Sequence, residues 1–296
     1  MIRIFSLLIL LTIMALGCSP EGIHIDNNPV PPYSGVPTVK LDAYLTRVYI
    51  DLIGREPLST ELPVERERLR QDDLSVNARL DLAERLMGQD TAFIGPYDRK
   101  LIDDLSGRYL DGTNHESLIA EVASLRSDAL QDSLAGGNAY PQIQAEANRL
   151  DSTVQSVYAF RAGTIGWREV NRRHCDNPEY DLINMNSFNF VNATFDDLLG
   201  RYPTEAEFEQ AYTAVEFNSP AILFGGAISD KPSYLQQMVN DLEFEDAAIR
   251  WSAERLLVRP ITGAEIAAWR EVTGPQVDIR LLQKLLVTSD EYADFE

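Results

Sequence analysis

A recurring pentapeptide limits the possible folds of this 296-residue chain more than any other feature of its sequence. The pattern Asp-Leu-x-Gly-Arg occurs at 51–55, 104–108 and 197–201, and a degenerate copy, Arg-Leu-Leu-Val-Arg, follows at 255–259. Self-similarity of this kind is typical of chains built from repeated supersecondary units. The spacing of the copies predicts two pairs of units separated by an insertion.

The residues before the first copy predict a helix that stops at the pentapeptide. Apolar residues recur there at the three- and four-residue spacing of one helical face. They are Leu41, Tyr44, Leu45, Val48 and Leu52. Gly54 can end this helix at little cost, because glycine readily adopts the left-handed conformation. Pro57 then prevents the helix from resuming.

The residues after the third and fourth copies predict the start of a second helix. Thr204 with Glu207, and Thr262 with Glu265, match the capping box, in which each side chain bonds to the other residue's backbone N–H. The first copy has Leu58 at the corresponding cap position, with Ser59 as the alternative cap. The predicted unit is therefore a helix, a glycine stop, an arginine, a proline, a cap and a second helix.

These patterns predict an all-α protein of repeated helix-turn-helix units in two pairs, joined by a long helical insertion. No segment combines sustained apolar alternation with turn signals, so no strand is predicted. The predicted boundaries are a signal peptide at 1–17, a lipid-anchored flexible tether at 18–38, the first helical pair at 39–135, a long connecting helix at 136–185 and the second helical pair at 186–296. The glycines at 163 and 166 mark a candidate break in the connecting helix.

The first eighteen residues resemble the leader of a bacterial lipoprotein. The apolar stretch that ends at Leu16 is shorter than the roughly 20 residues of a membrane span but suits a signal-peptide core. Gly17 precedes Cys18 as a small residue precedes the acylated cysteine of a lipobox. Ordinary secretion with cleavage near Gly17 and an uncleaved anchor are the alternatives. The proline-rich residues that follow predict an extended tether.

The charge balance argues against nucleic-acid binding. The chain has 26 Lys and Arg residues against 46 Asp and Glu residues, a formal charge of −20. Binding to phosphates needs clustered cations, and the sequence has no such cluster. An acidic body is not attracted to an anionic bilayer, so the acyl chains on Cys18 are expected to hold it at the membrane.

Two parts of the chain resemble known helical families. The sequences RVYIDLIGREP at 47–57 and DLSGRYLDG at 104–112 resemble the helical domain found beside c-type cytochrome modules in planctomycete-type surface proteins. The sequences LGRYPT at 199–204 and SDEY at 289–292 resemble phycobilisome-linker-like helical repeats of bacterial surface proteins. Neither resemblance implies a settled catalytic activity, and the sequence contains no haem-binding Cys-x-x-Cys-His.

The arginines that end the four copies are the most tempting polar candidates, since a row of them could bind an anion. They are Arg55, Arg108, Arg201 and Arg259. We expect instead that each guanidinium bonds to carbonyls at a helix end or pairs with a carboxylate of its own unit, such as Glu61 or Glu207. Their recurrence together with the helix-ending motif favours this structural role.

Two further groups of residues are candidates for binding. Arg108, Tyr109 and Asp111 would line a pocket if the protein were an enzyme or a redox accessory. The apolar, glycine-rich stretch around Leu223 and Phe224 is predicted to be a buried connection. If that stretch is exposed instead, Leu223 and Phe224 would contact a partner protein.

The remaining polar residues do not predict chemistry. His174 and Cys175 are adjacent, and adjacent helical side chains point about 100° apart, so they are not expected to form a nucleophile pair. The three histidines lack chelating spacing, so no metal site is predicted, and no cofactor apart from the lipid on Cys18. The acidic run 241–246 is predicted to be a solvated helix face.

The sequence therefore predicts a lipid-anchored, non-catalytic binding or structural subunit of an outer-membrane or cell-envelope assembly, on the periplasmic or the surface face. Its expected partners are other envelope proteins, with the membrane reached through the lipid. One alternative is an accessory to a surface enzyme or redox system. Another is a glycan-binding lipoprotein, which would need exposed aromatic side chains such as Trp167, Trp251 or Trp269.

Overall fold

Helices form nearly all of the regular structure, which confirms the all-α prediction. The computed structural model describes residues 35–88 and 94–295. Its helices in chain order are α1 Thr38–Ile53, α2 Glu61–Gln71, α3 Val76–Gly88, α4 Pro96–Tyr109, α5 His115–Leu134, α6 Tyr140–Val154, α7 Ser156–Arg161, α8 Trp167–Cys175, α9 Pro178–Asn184, α10 Ser187–Leu199, α11 Glu205–Phe217, α12 Lys231–Asn240, α13 Leu242–Leu257, α14 Gly263–Thr273, α15 Ile279–Thr288 and α16 Asp290–Ala293.

A short hairpin shows that the prediction of no strands was wrong at one place. Strand β1, Ala221–Leu223, pairs antiparallel with strand β2, Gly226–Ile228. The chain reverses at Phe224 and Gly225, whose φ angles of 51° and 75° are both positive, as a type I′ hairpin turn requires. Strands of three residues are too short to show the apolar alternation from which strands are predicted.

The long connecting helix predicted over residues 136–185 was wrong as one element, although the candidate break at Gly163 to Gly166 is confirmed. The chain forms four helices there, α6 to α9. A turn at Gly163, with φ of 68°, separates α7 from α8, and the Asn177 side chain starts α9 by accepting a hydrogen bond from the backbone N–H of Tyr180 (3.0 Å). Helix α5 packs against α6, the first of these four helices, and the two form a helical hairpin.

One apolar core extends through the described part of the chain, from Val36 to Phe295. The C-terminal helix α15 returns to pack between α3 and α13. Buried hydrogen bonds join the two ends of the chain: the Tyr97 hydroxyl donates to Gln283 Oε1 (2.8 Å), and the Tyr44 hydroxyl donates to the Val287 carbonyl (3.2 Å). The first and last helices therefore share one core.

Three of the four pentapeptide copies end a helix. Gly54 (φ 72°), Gly200 (φ 70°) and Val258 (φ 57°) each provide the left-handed residue that closes α1, α10 and α13. The second copy was predicted to do the same, but Gly107 lies inside α4, which continues to Tyr109. That copy lacks the proline that follows each of the others, and its helix runs two residues past the glycine. The repeated pairing of helix-turn-helix units is therefore not confirmed.

The missing cap of the first copy can be tested. We expect Leu58→Thr to raise the free energy of unfolding by about 0.5–1 kcal/mol, because the exposed Leu58 side chain supplies no oxygen to the Glu61 N–H, and Thr60, which directly precedes α2, makes no side-chain cap. The reverse change, Thr204→Leu, should lower it by about 1 kcal/mol, since Thr204 Oγ1 accepts from Glu207 N (3.3 Å). Urea unfolding measures both. Equal stability of the Leu58→Thr and wild-type proteins would contradict the equivalence of the two positions.

Several predicted features lie outside the described residues. These are the signal peptide at 1–17, the lipidation site Cys18 and the tether as far as residue 34. Val36 is buried against the core, so the folded body begins before residue 38, where the tether was predicted to end. Within the described part, no helix has the length and apolar content needed to cross a membrane.

Candidate functional site

We call the three helix ends at Gly54, Gly200 and Val258, each with the arginine that follows it, the corners. In each corner the arginine binds the glutamate six residues later. Arg55 donates to both carboxylate oxygens of Glu61 (2.7 and 2.8 Å). Arg201 binds Glu207 in the same two-pronged way (2.8 and 2.7 Å). Each glutamate also accepts, at 2.7 Å, the backbone N–H three residues after the arginine. These contacts confirm that the arginines pair with a glutamate of their own unit.

Two of the corner arginines also bind a glutamate from a distant helix. Arg201 Nη2 lies 2.8 Å from Glu243 Oε2 on α13. Arg259 Nη2 lies 2.6 Å from Glu265 and 2.9 Å from Glu291 on α16. The hydrogen bonds from these arginines lower the pKa of both Glu207 and Glu265 to about 2. A guanidinium between two carboxylates does not favour an anionic ligand, so the corners join helices.

The candidate group Arg108, Tyr109 and Asp111 does not converge on one cavity. Arg108 donates to the backbone carbonyl of Asp197. Tyr109 is buried, and its hydroxyl donates to Asn171 Oδ1 (2.7 Å). Asp111 is exposed at the turn after α4, with φ of 50°. The first two side chains hold α4 against α8 and α10, and the third faces solvent.

A buried polar cluster lies behind Arg108. The Tyr180 hydroxyl donates to Asp197 Oδ2 (2.7 Å), and burial raises the pKa of Asp197 to about 6. Cys175 is a free, fully buried thiol whose pKa burial raises well above its ordinary value. A cysteine nucleophile needs the opposite shift, which favours the thiolate. The cluster therefore supports packing and not nucleophilic chemistry.

His174 is fully buried beside this cluster. Its Nδ1 lies 2.8 Å from the Val170 carbonyl oxygen one helical turn earlier, and its Nε2 is buried without a hydrogen-bond partner among the described residues. Burial lowers the pKa of His174 to about 4, so the ring is neutral at physiological pH. The neutral ring fills space in the core, as the sequence-based interpretation of the His174–Cys175 pair predicted.

A cleft of about 280 Å³ opens between three segments of the chain. It lies between the α7–α8 turn, the start of α13 and the segment that leads into α15. Its apolar lining comes from all three segments: Phe160, Ile165, Trp167, Phe244, Val277 and Ile279. Its volume is at the lower end of the range for small-molecule sites.

Two arginines reach this cleft, and a buried carboxylate binds each of them. Arg168 pairs with Glu245, whose side chain is 3% exposed in the first turn of α13. Arg280 Nη2 lies 2.7 Å from Asp98 Oδ1. Burial raises the pKa of Asp98, and the charge of Arg280 opposes that shift. The two arginines of the cleft are therefore already paired with carboxylates.

The sequence-based interpretation missed Arg168 and Glu245. The acidic run 241–246 was predicted to be a solvated face, and that prediction was wrong, because Glu243 binds Arg201 and Phe244 lies in the core. Phe244 was the available signal. It precedes Ala248 and Trp251 at helical spacing and therefore places one side of the run against the core.

The other sequence candidates contribute mainly to packing. Leu223 is 2% exposed and belongs to the core, and the partly buried Phe224 ring lies 6.0 Å from the Phe195 ring. Trp167 is buried in the cleft wall, while Trp251 and Trp269 pack partly against the core. The hairpin is therefore only partly the buried connection that the sequence favoured: Leu223 and Ile228 are buried, whereas Ile222 is 65% exposed.

Comparison with protein-family models, with curated proteins and with solved structures finds no match for the chain. The two family resemblances in the sequence remain predictions. Within residues 35–88 and 94–295, no group of three or more His, Cys, Asp or Glu side chains is arranged to hold a metal ion.

Proposed function

We propose that the protein is a lipid-anchored, non-catalytic binding or structural subunit of an outer-membrane or other cell-envelope assembly. The observation that carries the proposal is that the recurring arginines bind glutamates of the protein itself. Arg55, Arg201 and Arg259 each bind a glutamate of their own corner, and two of them bind a second helix. A motif that recurs in order to join helices supports a scaffold, because its polar groups are not available to a substrate.

Attachment to the membrane is the second part of the proposal. The lipobox-like sequence ending at Cys18 supports acylation of that residue, and the proline-rich residues after it support a spacer between lipid and body. The acidic body would gain nothing from anionic lipid, so the acyl chains provide the attachment. The helical body then stands away from the bilayer, where it can contact an envelope protein.

Crosslinking of native membranes, followed by mass spectrometry, tests this function. We expect the wild-type chain in the membrane fraction, linked reproducibly to at least one envelope protein. Cys18→Ser should move the chain to the soluble fraction, whereas Cys175→Ser should leave it at the membrane, since Cys175 is buried in the core. Crosslinks only within the chain, or membrane association of Cys18→Ser equal to wild type, would contradict the proposal.

A further inference from the structure

A row of rings, exposed at its two ends and half-buried between them, runs along α11 and onto the start of α10. The ring centroids of Phe188 and Phe208 lie 5.1 Å apart, those of Phe208 and Tyr212 lie 5.5 Å apart, and those of Tyr212 and Phe217 lie 5.8 Å apart. Phe188 is 58% exposed and Phe217 is 63% exposed. We call these four side chains the aromatic ridge. A contiguous apolar surface that reaches solvent is typical of an interaction site.

The turn between α9 and α10 extends the apolar surface. Met185 is 78% exposed and has φ of 53°, a conformation that is strained for a residue other than glycine. Met185 and Val215 line one shallow depression of about 200 Å³, and Val215 lies on α11 between ridge residues. Flexible Met side chains adapt to apolar partners. The ridge and the turn therefore form one surface with a shallow recess beside it.

Acidic side chains accompany the rings along α11. Glu205, Glu209 and Glu216 lie near Tyr212 on α11, because they are seven, three and four residues from it. All three glutamates are exposed. Within the part of the chain that the structure describes, none of them forms an ion pair or a hydrogen bond. This helix face thus combines an apolar row with unneutralised negative charge.

The charge decides between the possible occupants of this surface. A second copy of the chain, with its formal charge of −20, would bring the same acidic side chains against Glu205, Glu209 and Glu216. An anionic bilayer would be repelled for the same reason. An apolar partner that also carries Lys or Arg gains both burial of the rings and charge complementarity. Helix α11 has 13 residues and is about 20 Å long, which matches a partner helix of similar length.

We propose that the aromatic ridge binds a basic amphipathic helix of a partner protein. The apolar face of that helix packs on Phe188, Phe208 and Phe217, and its Lys and Arg side chains lie against Glu209 and Glu216. The inference rests on the proposed function, since it names the chemistry of the partner that an envelope-assembly subunit would recognise.

Fluorescence anisotropy with two labelled synthetic helices tests the inference. One probe is an 18-residue amphipathic Leu/Lys peptide, and the other is its Leu/Glu counterpart. The protein is the full chain with Cys18→Ser, so that no acyl chain competes for the peptide. We expect the Leu/Lys peptide to bind, binding to weaken at least fivefold between 50 and 300 mM NaCl, and the Leu/Glu peptide to bind at least tenfold more weakly.

Matched variants assign the binding to the ridge. Glu209→Lys and Phe217→Ser should each weaken binding of the Leu/Lys peptide at least fivefold. Asp128→Lys and Leu134→Ser make the same changes at exposed positions of α5 and should alter binding less than twofold. Circular dichroism of all four variants checks that the fold is retained.

Several outcomes would overturn the inference. They are no binding of the Leu/Lys peptide, equal binding of the Leu/Glu peptide, and equal losses in the α5 variants. Dimerisation that Phe217→Ser abolishes would assign the ridge to a second copy, and flotation with anionic vesicles that Phe217→Ser abolishes would assign it to lipid. Membrane crosslinking separates the two proposals. A captured partner with no crosslinks near the ridge would leave the proposed function standing and remove this inference, whereas no captured partner would remove the function itself.

Discussion

Replacing Arg168 with methionine is expected to lower the free energy of unfolding by about 3 kcal/mol. Arg168 pairs with Glu245, which is 2% exposed, so the variant leaves a buried carboxylate without its cation. Methionine keeps much of the apolar length of the arginine side chain, so lost charge compensation dominates the effect. Urea unfolding at pH 7, followed by circular dichroism, measures the difference.

Two further variants separate charge burial from simple loss of a side chain. Adding Glu245→Leu to Arg168→Met should recover most of the lost stability, because an apolar pair of similar volume needs no charge compensation. Arg126→Met, which breaks the more exposed pair with Asp151, should cost less than about 1 kcal/mol. If the double variant were less stable than Arg168→Met alone, the loss would have to come from packing.

Acidification from pH 6.5 to pH 4 is expected to cost the wild-type protein about 3 kcal/mol through His174. Burial lowers the pKa of His174 from 6.5 to about 4. Between these values the unfolded state binds a proton that the folded state does not, so stability falls as the pH falls through this window. The stability difference between wild type and His174→Leu, measured by urea unfolding at several pH values, should shift by that amount in favour of the variant.

Asp197 supplies a control of opposite sign. Burial raises the pKa of Asp197 from 3.8 to about 6, so between these values the folded state binds more protons than the unfolded state. This carboxyl therefore favours folding as the pH falls, and Asp197→Asn should make the loss of stability on acidification steeper. A His174→Leu protein with the same pH profile as wild type would contradict the assignment of the slope to His174.

The corners are the part of the fold that could be predicted from local sequence. Glycine, proline and a Thr-x-x-Glu box are signals that act within one helical turn of the chain, so they predicted the helix ends and the pairing of Arg201 with Glu207. The second copy could have been separated from the others on the same grounds. Arg108 has no proline after it and Asn114 six residues later, where the other copies have glutamate. Asn114 instead caps α5 through Ser117 N (2.9 Å).

The cleft and the aromatic ridge could not be predicted from local sequence. Arg168 and Glu245 are 77 residues apart, and no residue near either of them in the sequence indicates that the two will form an ion pair. Phe188 and Phe208 likewise come from different helices, and their exposure depends on which faces of α10 and α11 the core covers. The breaks in the predicted long helix did have local signals, Gly163 and the capping Asn177, but the apolar periodicity of the stretch continues across them.

By itself, the sequence determined the helical class, most of the corners and the acidic balance. The helical class and the corners follow from backbone preferences that act over a few residues. The acidic balance follows from the composition of the whole chain. Only the tertiary structure decided which carboxylates are buried, which arginines are bound twice and which rings remain in solvent. Those properties depend on contacts between segments far apart in the chain, because burial fixes both the cost of a charge and the availability of an apolar side chain.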